Sequence, residues 1–301
     1  MEMEFDHNRT ICDFPWETID SDIERWLLED IGFGDVTTDP LPLEGIKVTA
    51  EVLAKSEGVV SGVGGFLRIL QRSCPDLVVE KAVPDGTGYK PGDILIRVVG
   101  DARKLLHAER TALNLLNHLS GISTLAAKFV KAVEGTGVKI IDTRKTTPGL
   151  RALEKYAVRC GGAANHRCDL SSSVLLKDNH LVIVGAELED AIRRIREKSG
   201  HTIKIEIEVD DIDQAERAAA AGADIVMLDN MTPDDGREAV QLVGDLVTVE
   251  ASGGVNLENV REWAESGVDL ISVGQITHSA PDADMSVEFV KVEREDVGRE
   301  S

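Results

Sequence analysis

The rhythm of apolar and polar positions changes once along this chain, near residue 137. Before that point, short runs rich in Val, Ile and Leu cover 47–54, 77–83 and 93–99, separated by turns such as PDGTGYKPGD. Runs of this length with Gly, Pro and Asp between them predict antiparallel strands. Helical periodicity accompanies them at 20–29 and 62–71, so the first part is expected to be an α+β layer. From Arg103 a helical pattern runs through HAERTALNLLNHL, is interrupted at Ser120-Gly121, and continues to about Val133. It is expected to join two domains, 1–113 and 114–282.

After Gly137 the pattern becomes strand, turn, helix, repeated. Apolar strands are expected to begin near Val138, Val174, Ile203, Ile225, Val247 and Leu270, the last four about 22 residues apart. Two junctions resemble one another: AAAAGADIVMLDN and EWAESGVDLISVG each end a helix at Gly and enter an apolar strand after Asp. A glycine there supplies the left-handed cap, and continuously apolar strands belong to a parallel sheet covered by helices. The fold class is therefore α/β, and a β/α barrel is the economical solution for the second domain.

Composition narrows the partners. With 42% apolar and 29% charged residues the chain is globular. Its 54 acids against 33 bases, a formal charge of -21, argue against nucleic-acid binding and suit a high-salt cytoplasm. No run approaches the ~18 apolar residues of a membrane span, and the start lacks the basic-then-apolar order of an export signal. A soluble cytoplasmic protein is expected. Cys12, Cys74, Cys160 and Cys168 show no CxxC spacing, which fits free thiols in a reducing compartment. Cys160, His166 and Cys168 lie close in sequence, but no fourth zinc ligand is evident; the two cysteines read as small buried thiols beside a glycine turn.

The candidate chemistry gathers where a barrel would hold it. Asp142 to Lys145, Lys177, Glu206 and Glu208, Asp229, Ser252 to Gly254, and Gly274 all fall at or just past the C-terminal end of an expected strand, the rim on which barrel loops converge. A single such acid is more often a helix cap or a surface ion pair. Within 142–180 stand seven Lys/Arg and two His against four acids, a cationic island that calls for a small polyanion. Arg144, Lys145, Arg167 and Lys177, with His166, suit carboxylate or phosphate oxygens. Glu208 and Asp229 are hard oxygen ligands on neighbouring strands, as Mg²⁺ shared with substrate phosphates requires. Ser252, Gly253, Gly254 and Gly274 allow close approach of backbone N–H groups to a phosphate, aided by a helix expected to begin near Asn256. Two anionic substrates are implied, one a phosphorylated sugar.

At these residues the chain resembles the quinolinate phosphoribosyltransferases of NAD synthesis. The resemblance runs through LLEDIGFGDVTTD, HAERTALNLLNHLSGIST, DTRKTTPGLRALEKYAVRCGGAANHR, VLLKDNH, EIEVD, MLDN, EASGGV and ISVGQITHS, nearly the full length and in order. It implies an N-terminal α/β sandwich joined by the C-terminal tail 283–301, an incomplete β/α barrel, and a homodimer, possibly assembled further, in which one subunit's sandwich closes the neighbour's barrel. By position, Arg110 of AERT would reach quinolinate in the partner's site, with Thr143, Arg144, Lys145, His166, Arg167 and Lys177 lining the same pocket. Glu208 and Asp229 would serve Mg²⁺ and the ribose hydroxyls, and Ser252, Gly253, Gly254, Val273, Gly274 and Gln275 would hold the 5-phosphate of phosphoribosyl pyrophosphate. Lys145, Glu208 and Asp229 would carry the chemistry. Many relatives have a third glycine before the asparagine of GGAANHR; alanine, being small, alters little. Two alternatives stay open: a relative with another acceptor, of the nicotinate or molybdenum-operon type, and a non-catalytic binder of phosphorylated metabolites, which would have no use for the Glu208 and Asp229 pair.

Overall fold

A computed structural model describes residues 14–294; Cys12 and the end of the tail, 295–301, lie outside the described residues. The chain forms two compact units, one holding residues up to Thr124 together with those from Ala280 onward, the other Leu125–Ser279. The division falls after Thr124, where the sequence places it after residue 113.

The first unit contains α1 (Asp20–Ile31), β1 (Ile46–Ala54), β2 (Gly58–Val59), α2 (Val63–Ser73), β3 (Val78–Ala82), β4 (Gly88–Tyr89) and β5 (Ile94–Asp101), then most of the long helix α3 (Ala102–Ala132). The chain returns to it as β12 (Met285–Arg294), and the sheet order is β12-β1-β5-β3, with β1 antiparallel to both neighbours. Strand β1 alternates buried with less buried positions, Ile46, Val48, Ala50, Val52 and Ala54 facing inward, the period-two pattern of a one-sided sheet. The short β2–β4 pair was not anticipated, because two residues are too few to show a period.

Helix α3 is continuous through Ser120-Gly121, against the expected interruption. Both residues answer tertiary needs there. Ser120 Oγ accepts the Ser61 N–H at 3.0 Å and donates to the Ser61 carbonyl at 3.2 Å. A Cβ on Gly121 would lie 2.1 Å from the Pro281 carbonyl oxygen, so glycine admits the returning tail. Ser123 and Thr124 bind the Val59 backbone, which keeps the helix in this unit as far as Thr124.

The second unit runs β6 (Lys139–Ile141), α4 (Arg151–Cys160), β7 (Val174–Leu176), α5 (Asp178–Val184), α6 (Leu188–Lys198), β8 (Ile205–Val209), α7 (Ile212–Ala220), β9 (Ile225–Asp229), α8 (Pro233–Val243), β10 (Thr248–Ser252), α9 (Val260–Glu265), β11 (Leu270–Ser272) and α10 (Gln275–His278). Its six strands are parallel in the order β6-β11-β10-β9-β8-β7, an incomplete β/α barrel. Among the described residues no helix is long and apolar enough to cross a membrane.

The two similar junctions do the same structural work. Gly222 and Gly267 have φ of 91° and 94°, the left-handed conformation that glycine adopts without strain. Two residues later, Asp224 Oδ2 accepts the Ile205 N–H at 2.9 Å, and Asp269 Oδ2 accepts the Val249 N–H at 2.8 Å. Each aspartate thus ties the N-terminal end of its strand to that of the neighbouring strand. Arg196 and Lys204 also bind Asp224, at 2.6 and 2.9 Å.

Burial raises the Asp224 carboxyl, but hydrogen bonds from Lys204, Arg196 and the Ile205 N–H outweigh it and hold the group at about 2. A folded value below the ordinary 3.8 means the stabilisation is whole above that value and is lost as pH falls toward about 2. Asp224→Asn should therefore flatten the acid limb of the stability curve by roughly 1–2 kcal/mol between about pH 5 and 2. Urea unfolding at stepped pH measures this; identical limbs in parent and variant would refute the linkage.

Candidate active site

The cationic segments are organised by one buried acid. Asp142, fully buried just past β6, accepts from Lys155 Nζ at 2.5 Å, the His166 N–H at 2.8 Å and Asn165 Nδ2 at 2.7 Å. Burial pushes its carboxyl up, and the Lys155 charge with the three hydrogen bonds opposes that rise. Lys155, on α4, also donates to the His166 carbonyl at 3.1 Å. These bonds bring the DTRK loop, α4 and the NHR turn together, and they consume Lys155, so part of the cationic island serves the fold.

In the loop after Asp142, Thr143 Oγ1 accepts the Lys145 N–H at 3.0 Å. Lys145 is exposed, and its carbonyl accepts from the Thr277 hydroxyl at 2.7 Å. A Cβ on Gly274 would come 3.0 Å from Lys145 Cδ, so glycine makes room for this side chain. Arg144 has a buried Nε without a hydrogen-bond partner. Arg167 donates to the Ser173 carbonyl at 2.9 Å; burial lowers its pKa first, and the nearby Arg144 charge lowers it further. Two guanidinium groups that repel one another in a half-buried setting have the charge and the planar donors that suit an anionic ligand.

Inside the barrel, His166 Nε2 lies 3.1 Å from Glu206 Oε2 and 3.8 Å from Glu250 Oε1. Both carboxyls are buried. Glu250 is pushed well above the ordinary carboxylate range by burial and by the Glu206 charge, against a hydrogen bond from Ser272. Glu206 was expected among the rim residues, but it lies one layer below Glu208; Glu250 was not anticipated at all. Its signal was an acid in an apolar strand two positions before Ser252, the spacing of Glu206 and Glu208.

At the rim, Lys177 and Glu208 pair directly, although the sequence assigns them to different substrates. Asp229 accepts from Asn230 Nδ2 at 2.8 Å. It lies opposite Ser252 in the β9–β10 register. Asn230, at φ 55°, is the one non-glycine residue with positive φ among the described residues. Gly253 and Gly254 follow at φ 85° and 63°, and Gly274 caps α10, followed by exposed Gln275. The helix expected near Asn256 begins instead at Val260. Asn256 Oδ1 takes the N–H groups of Glu258 and Asn259 into a turn first. Of the cysteines, Cys160 is buried as expected and Cys168 is exposed, contrary to its reading as a buried thiol. Arg110 belongs to the first unit, exposed on α3.

A barrel rim with a cation-rich loop pair, two strand-end carboxylates and a glycine turn has the chemistry expected of an enzyme that handles anionic substrates. The profiles of the quinolinate phosphoribosyl transferase N-terminal and C-terminal domains match residues 35–120 and 122–288. The carboxylating nicotinate-nucleotide pyrophosphorylase of Mycobacterium leprae is 39% identical over 285 residues, covering 93% of this chain and 100% of that one. The nicotinate-nucleotide pyrophosphorylase structures of Francisella tularensis and Ehrlichia chaffeensis superpose with TM-scores of 0.88 and 0.85 at 33% and 37% identity. They cover 95% and 91% of this chain and 99% and 98% of their own. The chain belongs to the quinolinate phosphoribosyltransferase family.

The glycine turn gives a direct test. A Cβ on Gly253 would lie 2.3 Å from Asn230 Oδ1 and 2.8 Å from Asn230 N, at a φ that disfavours any other residue. Gly253→Ala should destabilise the protein by roughly 1–3 kcal/mol through backbone strain, with the contacts to Asn230 adding to the loss. Chemical denaturation of parent and variant reads this, and equal midpoints would show that the turn relaxes freely.

Proposed function

We propose that this protein transfers the phosphoribosyl group of phosphoribosyl pyrophosphate to quinolinate with loss of CO₂, giving nicotinate mononucleotide and pyrophosphate, in the cytoplasm. The observation that carries the reading is the Arg144 and Arg167 pair, two mutually repelling guanidinium groups beside the rim, with Arg144 Nε unpartnered. Quinolinate presents two ring carboxylates, and planar guanidinium forks match them. Membership of the family supports the same acceptor.

Glu208 and Asp229, at the ends of adjacent strands and both partly exposed, are a fitting donor set for Mg²⁺, which when bound would neutralise pyrophosphate oxygens. Lys145, whose side chain packs over Gly274, would take charge developing on the leaving group. Breaking the anomeric carbon–oxygen bond leaves the sugar carbon electron-poor, and the quinolinate nitrogen supplies the electron pair of the new bond. Once that nitrogen is quaternary, the neighbouring carboxylate departs as CO₂, leaving its bonding pair on a ring carbon that the positive nitrogen stabilises; a proton from solvent then completes the ring. Gly253, Gly254 and Gly274 leave the backbone open for the 5-phosphate. The protein's task is positioning and electrostatics.

Incubation with quinolinate, phosphoribosyl pyrophosphate and Mg²⁺ should yield nicotinate mononucleotide, and activity should stop with chelator. Arg144→Ala and Arg167→Ala should each weaken quinolinate by roughly ten- to a hundredfold, the loss of a charge-assisted bond worth about 1.5–3 kcal/mol. Consumption of nicotinate instead of quinolinate would establish the other-acceptor reading, and no turnover of either would establish the binder.

We further place Arg110 in the active site of a partner subunit, in a homodimer. The family resemblance supports this, as does its exposure on α3, in the unit that holds none of the other candidates. Mixing Arg110→Ala with Lys177→Ala protein should restore activity, because one site of each mixed dimer is then intact, with recovery toward about half the parent's activity per mixed dimer. No recovery after verified subunit exchange would put Arg110 in its own chain's site or in a structural role.

A further inference from the structure

Each polar atom of His166 is engaged by the protein. Its N–H donates to Asp142 Oδ1 at 2.8 Å and its carbonyl accepts from Lys155 Nζ at 3.1 Å. On the ring, Nδ1 accepts the Arg167 N–H at 2.6 Å, and Nε2 faces the Glu206 carboxylate at 3.1 Å. A nitrogen that accepts an N–H bond carries no proton, so the ring proton sits on Nε2 and is donated to Glu206. The nitrogen of His166 and the carboxylate oxygens of Glu206 and Glu250 lie within 4.8 Å of one another, a separation a cation could bridge. A protonated Nε2, however, has no lone pair for a metal ion. The cluster is a hydrogen-bonded chain running from the barrel interior to the backbone of Arg167.

We propose that His166 is a positioning residue and not a substrate ligand: Glu206 fixes its ring from below, Asp142 and Lys155 fix its backbone, and the ring in turn fixes Arg167. This rests on the assignment of Arg167 to the quinolinate pocket. It departs from what the family resemblance implies for His166, since a ring with both nitrogens occupied has no donor left for a substrate carboxylate. It also gives Glu206, a buried acid in an enzyme that binds anions, a defined task. Glu250 Oε1, which has no hydrogen-bond partner, stands 3.8 Å from His166 Nε2.

The test is a double-mutant cycle read by equilibrium quinolinate binding, with the KM for phosphoribosyl pyrophosphate as a second readout. His166→Ala should weaken quinolinate by about ten- to a hundredfold through displacement of Arg167, and move the other KM by less than about twofold. In an Arg167→Ala background, His166→Ala should cost less than about twofold more, because the residue it acts through is gone. Glu206→Ala should behave as His166→Ala does, whereas Glu206→Gln, which still offers an oxygen to Nε2–H, should recover most of the loss. Full additivity of His166→Ala and Arg167→Ala overturns the proposal and makes His166 a ligand. If His166→Ala does not fold, the cycle between Glu206→Ala and Arg167→Ala decides by the same criterion. A parent protein that binds no quinolinate overturns the functional reading itself, and the positioning role with it.

Discussion

A carboxylate removed from water must be surrounded by donors, and Asp142 meets that requirement by drawing two separate segments to itself. Lys155 on α4, Asn165 and the backbone of His166 all converge on its two oxygens. Removing either partner of a buried pair such as Asp142–Lys155 leaves an uncompensated charge, typically a loss of about 3–5 kcal/mol. The positions of Arg144, Lys145 and Arg167 follow from this one residue, because the first two succeed it in the chain and the third succeeds a residue it holds. The cationic face is thus built around an interior anion.

Much of this was legible in the sequence because it repeats or has a period. The strands of the barrel, their direction and the strand-end residues came from spacing, and the strand β1 from alternation. What was not legible depended on distant contacts. Ser120 and Gly121 read as a helix break because locally they are poor helix formers, yet residues 61 and 281 require them where they are. Asn256 reads as the start of a helix, but its side chain caps a turn first. Glu250 was invisible because an acid in an apolar strand has meaning only beside the residues it meets across the barrel. Likewise nothing local distinguishes Lys155, which is consumed by Asp142, from Lys145, which remains exposed.

The Lys177–Glu208 pair changes how binding at the rim should be viewed. Each side chain meets an opposite charge on the adjacent strand. In the proposed reaction an anion and a cation would each take over one of these partners, so association exchanges ion pairs instead of neutralising bare charges. The free-energy gain per contact is then a difference between two similar quantities, which favours selectivity for the correct pair of ligands over raw affinity.

The aspartates at 224 and 269 lead to a mechanical reading of the barrel. Both fasten neighbouring strands at their N-terminal ends, whereas the glycine turns, Asn230 and the exposed lysine occupy the opposite mouth. Register is secured at one end of the sheet, and the candidate site residues gather at the other. The strands behave as rods clamped at the base, and substitutions at the free mouth can alter what the rim recognises without unthreading the sheet that carries it.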